Sequence, residues 1–282
     1  SVWVIYDAEL NSGFDVYSVT STDAGLSFSD TVNISGYSGL NRFASIGSSL
    51  SGDIAVSYMT HDANWINPRY VVSNSIDAGT TWQTPINGSE ALSGAEVCDC
   101  CPSEIILNGS EQALLFRDNN ANLRDMWACF STDGGGSFPI GGDVDDADWL
   151  VSVCPSSGAH GAFINNSFYM VWMTGASGTS KVMITTVDKS NANSTTNWGM
   201  PGVQQGGQNY PRIAGEGNTI GVVYQEYISG SPGSECYFAY TFNGDSKLDS
   251  LTLLNAQSLG SQSNPDLVFA DGVFHFVYQN SY

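Results

Sequence analysis

The sequence is poor in basic residues, poor in histidine and without a long apolar run. Only 8 Lys and Arg accompany 28 Asp and Glu in 282 residues, so the formal net charge is −20, and there are 3 His. A field of this sign repels nucleic acid and anionic membranes, and no stretch approaches the roughly 18 apolar residues of a membrane-spanning helix. We therefore expect no nucleic-acid partner and no membrane insertion. The acidic excess is typical of a solvated surface or of a surface that binds cations.

Length and composition favour one all-β domain over residues 1–282. Gly is abundant at 31 residues, aromatic residues make up 12% of the chain, and no long apolar helical stretch is present. A chain of this length can bury a large core, and all-β domains of this size are ordinary.

One eight-residue pattern, Ser-x-Asp-x-Gly-x-x-aromatic, occurs three times, each time after a strand-like run. The copies are residues 21–28, 75–82 and 131–138. Ser and Asp oxygens accept hydrogen bonds from nearby backbone N–H groups, and Gly adopts a positive φ at low cost. The pattern therefore predicts a tight hairpin loop whose aromatic residue packs back as a hydrophobic plug. Two degenerate copies follow, at residues 241–248 and 186–198.

This pattern resembles the Asp-box, or BNR repeat, of the sialidase-like β-propeller superfamily. In that superfamily the box joins the third and fourth strands of each blade, on the face away from the ligand. The resemblance implies a β-propeller of four-stranded antiparallel blades with Asp-box hairpins. It marks the fold and assigns no catalytic role to the loop.

A second repeat has the length of one blade. Strand-like runs that end in an aromatic residue recur at intervals of 52 to 58 residues, at Tyr6, Tyr58, Phe116, Trp172, Tyr224 and Tyr278. This period fits a four-stranded blade. We predict six blades, near residues 1–36, 37–90, 91–150, 151–204, 205–257 and 258–282. The first and last are incomplete, so we expect the sequence to be part of a longer protein.

In a propeller, the start of each innermost strand and the end of each second strand open onto one face around the axis. At those positions we predict ligand-binding roles for Arg42, Arg117, Arg212, His160, Asp266 and Gln279. Polar groups that converge on an apolar scaffold are typical of a ligand site. A structural alternative stays open for Arg117, because Arg117 and Asp118 could pair with Arg124 and Asp125 across a hairpin.

The sialidase resemblance implies a particular use of this face. Three arginines would clamp a carboxylate, an Asp would act as the acid, and a Tyr activated by a Glu would be the nucleophile. Asp62 or Asp118 would supply the acid; Tyr224, beside Glu226, or Tyr278 would supply the nucleophile. The Arg-Ile-Pro motif of the family is absent. An exo-sialidase-like glycoside hydrolase and a non-catalytic surface recognition or assembly module therefore both stay open.

Four of the 6 cysteines are predicted to lie in one sector of the axial rim. The Cys98–Cys101 segment, Cys-Asp-Cys-Cys, resembles a poorly characterised group of secreted bacterial sialidase-like proteins, and Cys154 stands at the equivalent place in the next blade. Cys98 and Cys100 lie on one side of an extended segment and Cys101 on the other. We predict disulfides among these four residues, with Cys98 and Cys154 as the partners of Cys100 and Cys101. A metal-binding propeller with a copper(I) or zinc thiolate site, joined by His160, and free thiols are the alternatives.

The cysteines and five Asn-x-Ser/Thr sequons favour a secreted or cell-surface glycoprotein. We expect its partner to be a glycan or a cell-surface glycoconjugate, besides other domains of a longer surface protein. The acidic segment 142–148 predicts a solvated loop or a calcium site, although it lacks the Gly and the terminal Glu of an EF-hand loop. No other cofactor is expected.

Overall fold

The computed structural model describes residues 1–10, 13–36, 39–92, 94–203, 205–230, 233–248, 250–254 and 260–281, and these residues form an all-β structure. A single 3-10 turn, Ala63–Trp65, is the only helical segment among them. No helix in the described ranges has the length and apolarity to cross a membrane. The prediction of an all-β chain is therefore confirmed.

The described residues form 22 strands in six antiparallel sheets. Sheet 1 contains β1 (Val2–Leu10), β2 (Gly13–Ser21) and β3 (Val32–Asn33). Sheet 2 contains β4 (Asn41–Ser48), β5 (Ile54–Asp62), β6 (Ile66–Ser75) and β7 (Ile86–Asn87). Sheet 3 contains β8 (Glu96–Val97), β9 (Glu104–Asn108), β10 (Glu111–Asn119), β11 (Met126–Ser131) and β12 (Ile140–Asp143).

The remaining three sheets continue in chain order. Sheet 4 contains β13 (His160–Ile164), β14 (Ser167–Thr174), β15 (Lys181–Val187) and β16 (Trp198–Gly199). Sheet 5 contains β17 (Gln205–Glu216), β18 (Thr219–Ile228), β19 (Ser234–Thr241) and β20 (Ser250–Leu253). Sheet 6 contains β21 (Ser261–Ala270) and β22 (Val273–Ser281). Each sheet lies within one of the ranges predicted for the blades, and the number of blades in the whole protein stays a prediction.

The first strands of successive sheets lie side by side around a common axis. β4 contacts β1 and β9, β13 contacts β9 and β17, and β17 contacts β21. Because neighbouring sheets cover both faces of each inner sheet, the second strands are buried along most of their length, as in β10 and β14. Their sequences accordingly read as continuous apolar runs rather than as alternating ones.

The three Ser-x-Asp-x-Gly loops share one geometry, and each connects the last two strands of its sheet, namely β2 and β3, β6 and β7, or β11 and β12. In the last of them Ser131 Oγ donates to Asp133 Oδ1 at 2.7 Å, and the N–H groups of Gly135 and Ser137 donate to Ser131 Oγ and Asp133 Oδ1 at 2.9 and 3.0 Å. The loops at 21–28 and 75–82 repeat these contacts. Gly135 has φ +82°, which an L-residue rarely adopts.

The predicted aromatic plug is complete in the third loop only. Phe138 is fully buried and belongs to a core cluster that includes Tyr70 and Val72 of sheet 2. Trp82 is half-buried, and Phe28 of sheet 1 is 46% exposed. The plug therefore depends on a neighbouring sheet that covers the aromatic ring, a cover that Phe138 has and Phe28 lacks.

Candidate functional site

A cavity of about 510 Å³ opens where the innermost strands meet around the axis. Its wall includes residues of β1, β4, β9, β13, β17 and β21, together with the segments that precede β9 and β13. The titratable side chains in this wall are Glu104, His160, Tyr210, Arg212 and Asp266. Three of these residues, His160, Arg212 and Asp266, are ligand-binding residues that the sequence predicts.

A repeated β-bulge sets the direction of the side chains on three of the cavity strands. The pairing of the first strand with the second shifts between Arg42 and Ser45, between Asn209 and Arg212, and between Ser263 and Asp266. The first of the two residues inside each bulge has a positive φ: Phe43 at 58°, Tyr210 at 52° and Asn264 at 49°. This backbone is strained for residues other than glycine and is frequent at functional sites. The residue that follows each bulge lines the cavity.

Glu104 is the residue at this site with the most informative chemistry. Its Oε1 accepts a hydrogen bond from Ser45 Oγ at 3.0 Å, which orients the carboxyl group. Burial raises the pKa of Glu104 to about 7, against the opposing effects of Arg212 and of the Ser45 hydrogen bond. At neutral pH a large fraction of this carboxyl group is therefore protonated, and it can donate a proton inside the cavity.

Arg212 and Asp266 are neighbours in the cavity wall, on the adjacent strands β17 and β21. Arg212 Nε lies 3.9 Å from Asp266 Oδ1, and both side chains are partly exposed. Arg212 Nη1 also donates to the carbonyl oxygen of Pro211 at 3.1 Å. Gln279, a predicted ligand-binding residue, does not line the cavity. Its Oε1 accepts from Asn264 Nδ2 at 2.8 Å and so holds the bulge that precedes Asp266.

His160 is a neutral hydrogen-bonding residue of the cavity wall. Its Nδ1 accepts from the N–H of Ile213 at 3.2 Å, which leaves the proton of the neutral ring on Nε2. Burial and the charge of Arg212 lower the pKa of His160 to about 3. The ring therefore offers a neutral N–H donor across the physiological pH range and cannot serve as a cationic clamp.

Arg42 does not line the cavity, in contrast to the sequence prediction. Its Nη2 donates to the carbonyl oxygen of Asp99 at 2.7 Å, and its guanidinium lies over the rings of Phe43 and Trp65 at 4.8 and 5.4 Å. The bulge at Phe43 is the physical reason, because it moves the next cavity position along the strand to Ser45.

Arg117 is fully buried between sheets 3 and 4. Its Nη1 donates to the carbonyl oxygen of Arg124 at 2.8 Å and its Nη2 to that of Met173 at 2.6 Å, and the group lies 5.2 Å from the ring of Trp149. All of these partners are structural. The three arginines of the predicted clamp are thus not brought together, since Arg212 alone among them lines the cavity.

The two predicted acids also lie elsewhere among the described residues. Asp62 is on the surface, where it pairs with Arg69 at 2.9 Å and accepts from Asn67; these hydrogen bonds, that of Asn67 first, lower its pKa. Asp118 is buried in sheet 3 and accepts from the N–H of Asp125 at 2.8 Å; burial raises its pKa to about 6. The lowered pKa keeps Asp62 ionised at neutral pH, so it has no proton to donate. Asp118 lies outside the cavity.

The predicted nucleophile pair is part of the core of sheet 5. Tyr224 is fully buried, its hydroxyl donates to the carbonyl oxygen of Pro201, and burial raises its pKa far above the usual value. Glu226 is also fully buried and accepts from the N–H groups of Val203 and Gln205 at 3.0 and 3.1 Å. These contacts fasten the segment before β17, so the pair has a structural role. Tyr278 lies on the exposed strand β22.

The acidic segment at residues 142–148 lies beside Asp118 and Asp125. Asp145 is buried, and burial raises its pKa to about 6, with a further contribution from Asp125. The positive charge of Arg117 lowers the pKa of Asp125 and of Asp145, against the larger effect of burial. Over the described residues, no three carboxylates lie close enough together to hold one metal ion, so the geometry gives a calcium site no support.

The cysteine cluster forms one disulfide. Cys100 is bonded to Cys154, which crosslinks the segment before β9 to the segment before β13. Cys98 and Cys101 are buried free thiols whose sulfur atoms lie 2.8 Å apart, so the structure lacks a second crosslink. Among the described residues, the sulfurs of Cys98, Cys100 and Cys101 are the one group of three potential ligand atoms close enough together to hold a metal ion. Arg124 Nη1, however, lies 2.9 Å from Cys98 Sγ, and this positive charge does not fit a bound cation.

Glu104 is the cavity residue that the sequence interpretation missed. A signal for it exists, because four polar residues of the wall each precede an aliphatic residue of an innermost strand. The pairs are Ser45-Ile46, Glu104-Ile105, Arg212-Ile213 and Asp266-Leu267. Alignment of the innermost strands on these aliphatic residues would have placed Glu104 beside Arg212 and Asp266.

Comparison with known proteins shows the fold. No family model matches the sequence, and no curated protein does. Among solved structures, an intramolecular trans-sialidase from Ruminococcus gnavus is similar with a TM-score of 0.63 and 8% identity over 99% of this chain and 90% of its own. An α-L-arabinanase from Penicillium chrysogenum gives a TM-score of 0.61 and 10% identity over 84% and 74%.

A Hadza microbial sialidase is similar with a TM-score of 0.59 and 13% identity over 95% of this chain, which spans 58% of that sialidase. These similarities confirm the predicted fold, a β-propeller of antiparallel sheets, several of them four-stranded.

Proposed function

We propose that this chain binds glycans in its central cavity and cleaves a glycosidic bond there, with Glu104 as the general acid. The observation that supports the proposal most is a half-buried carboxyl group, held by Ser45, in the same cavity as Asp266 and Arg212. The similarity to propellers described as sialidases and an arabinanase supports a glycan as the ligand. A pocket with few polar groups on a rigid scaffold is the usual form of such a site.

Glycoside hydrolysis needs a protonated carboxyl group and a second carboxyl group near the scissile bond. Glu104, with its pKa raised to about 7 by burial, donates the proton to the departing oxygen. Asp266 is the second carboxylate of the cavity and acts on the anomeric carbon, directly or through water. Arg212 keeps Asp266 in position from 3.9 Å, and the neutral ring of His160 donates a hydrogen bond to the sugar.

A neutral sugar suits the cavity better than a sialic acid. Recognition of a sugar carboxylate calls for arginines that bind it in a bidentate fashion. Arg212 already faces Asp266, Arg117 donates to carbonyl oxygens of the core, and Arg42 contacts Asp99 and two aromatic rings. The sialidase nucleophile pair is buried as well. The dispersal of these groups also favours the second candidate, a non-catalytic propeller that recognises glycans.

A panel of aryl glycosides tests the proposal. We expect the purified chain to hydrolyse at least one neutral substrate, with α-L-arabinosides in the panel, and to show little activity on the sialoside. Robust hydrolysis of the sialoside alone would contradict it. Glycan binding without hydrolysis of any substrate would favour the recognition module.

We place this activity in a secreted or cell-surface protein. The Cys100–Cys154 disulfide is compatible with an oxidising environment, and the net charge of −20 suits a soluble surface. The partner would be an extracellular glycan or a cell-surface glycoconjugate.

A further inference from the structure

Four sulfur atoms lie in a connected series near the central cavity. Cys98 Sγ is 2.8 Å from Cys101 Sγ and 3.5 Å from Cys100 Sγ, and Cys100 is bonded to Cys154. Cys98 and Cys101 are fully buried, whereas Cys154 is exposed. A buried dithiol with Cys-x-x-Cys spacing therefore touches a disulfide that reaches the surface.

A buried cation accompanies these sulfurs. Arg124, which is 7% exposed, places Nη1 2.9 Å from Cys98 Sγ and 3.9 Å from Cys100 Sγ. The hydrogen bond with Cys101, aided by the charge of Arg124, lowers the pKa of Cys98 below that of an ordinary thiol. The thiolate is the species that attacks a disulfide. The same guanidinium can stabilise the negative charge that spreads over the sulfurs during attack.

We propose that these residues form an internal thiol–disulfide relay in which Cys98 is the nucleophile. In the first step the Cys98 thiolate attacks Cys100 Sγ. The Cys98–Cys100 bond forms, the Cys100–Cys154 bond breaks, and Cys154 leaves with the electron pair as a thiolate. In the second step Cys101 attacks Cys98, the Cys98–Cys100 bond breaks, and the proton of Cys101 passes to the departing Cys100 sulfur, which lies within 4.8 Å. The buried dithiol is oxidised and the exposed disulfide reduced, so no outside oxidant or reductant takes part.

The surroundings of Cys154 suit a leaving group. Ser156 Oγ lies 3.1 Å from Cys154 Sγ and can donate to the departing thiolate, which is also exposed to water. The disulfide joins two segments whose next residues, Pro102–Glu104 and Ser156–His160, belong to the cavity wall. The relay therefore determines whether these two parts of the wall are crosslinked.

The test follows Cys154 in the purified folded chain without reductant. N-ethylmaleimide labels free thiols, and peptide mapping under non-reducing conditions then identifies both the labelled residues and the crosslinks. We expect Cys154 to become labelled at pH 8 in molecules that carry a Cys98–Cys100 or Cys98–Cys101 bond. Cys98→Ala should slow this labelling at least about tenfold. The matched control Cys129→Ala, a buried free thiol of β11, should leave it unchanged.

Three results would overturn the relay. They are a Cys154 that stays unlabelled in the unaltered chain, equal labelling in Cys98→Ala, and stoichiometric zinc or copper that protects Cys98 and Cys101. If Cys98→Ala loses cooperative unfolding, Cys101→Ala replaces it. That variant stops after the first step, so we expect a Cys98–Cys100 crosslink together with labelled Cys154, and the absence of that crosslink would contradict the mechanism.

Discussion

Replacement of Glu104 by Gln should abolish most of the hydrolytic activity while the cavity still binds glycan. Gln keeps the shape of the side chain and can accept the hydrogen bond from Ser45 Oγ, but it has no proton to give to the leaving oxygen. General acid catalysis contributes roughly 100-fold or more, so kcat should fall by at least about 100-fold. Turnover and glycan affinity of the variant, measured on the substrate that the panel identifies, check this expectation.

The pH dependence of hydrolysis is an independent test of Glu104 as the general acid. Burial raises the pKa of Glu104 to about 7, so the catalytic, protonated form is present below that pH and is lost as the pH rises through it. Activity of the unaltered chain should therefore decline on the alkaline side of about pH 7.

Asp62→Asn is the matched control for Glu104→Gln, because Asp62 is a surface carboxylate paired with Arg69. A Glu104→Gln variant with unaltered kcat would rule out this residue as the acid.

Replacement of Arg117 by Met should destabilise the fold rather than weaken ligand binding. Arg117 is fully buried, and its two Nη groups satisfy the carbonyl oxygens of Arg124 and Met173. Met fills part of the space but leaves both oxygens without these donors, which costs about 1–3 kcal/mol for each buried group. We expect the free energy of unfolding to fall by about 3 kcal/mol in denaturant titration.

Arg69→Met is the control for this effect. Arg69 pairs with Asp62 on the surface, with side-chain exposures of 37% and 48%, and such pairs contribute about 0–1 kcal/mol. If the Arg117→Met chain kept its stability and no longer bound glycan, that result would contradict this account and support the arginine clamp predicted from the sequence.

The sheets could be predicted because their signals are local. Turn chemistry and the apolar run of each second strand recur at the spacing of one blade, and β5, β10, β14 and β18 follow that spacing. Burial of these strands on both faces makes the runs long enough to recognise. The conformation of the 131–138 loop follows likewise from hydrogen bonds between neighbouring residues.

The site could be predicted only in part, because strand position does not give side-chain direction. His160, Arg212 and Asp266 line the cavity as expected. The bulge at Phe43 displaces Arg42 from the equivalent position, and no turn or periodic signal in the sequence marks a bulge at a non-glycine residue. Arg117 and Tyr224 lie on strands that are buried on both faces. A polar side chain on such a strand packs in the core and does not point to the axial cavity.

The cysteines show the same limit. Alternation along an extended segment predicts Cys101 on the side opposite Cys98 and Cys100, and this prediction is wrong. The segment is a turn in which the N–H of Cys101 donates to the carbonyl oxygen of Cys98 at 3.3 Å, so the sulfurs of all three residues lie within 4.8 Å of one another. Cys154 pairs with the more exposed Cys100. Arg124 comes from the strand-connecting segment before β11 and lies beside Cys98 only after folding. The ionisation of Cys98 is therefore a property of the tertiary structure.

The central claim is that the axial cavity is the glycan site, and the most direct measurement is a crystal structure of the Glu104→Gln chain soaked with an oligosaccharide substrate. The account predicts a sugar in the cavity between residues 104 and 266, with its glycosidic oxygen within hydrogen-bonding distance of the residue at 104. A sugar bound on another face of the propeller, with the cavity containing only water at saturating oligosaccharide, would contradict it.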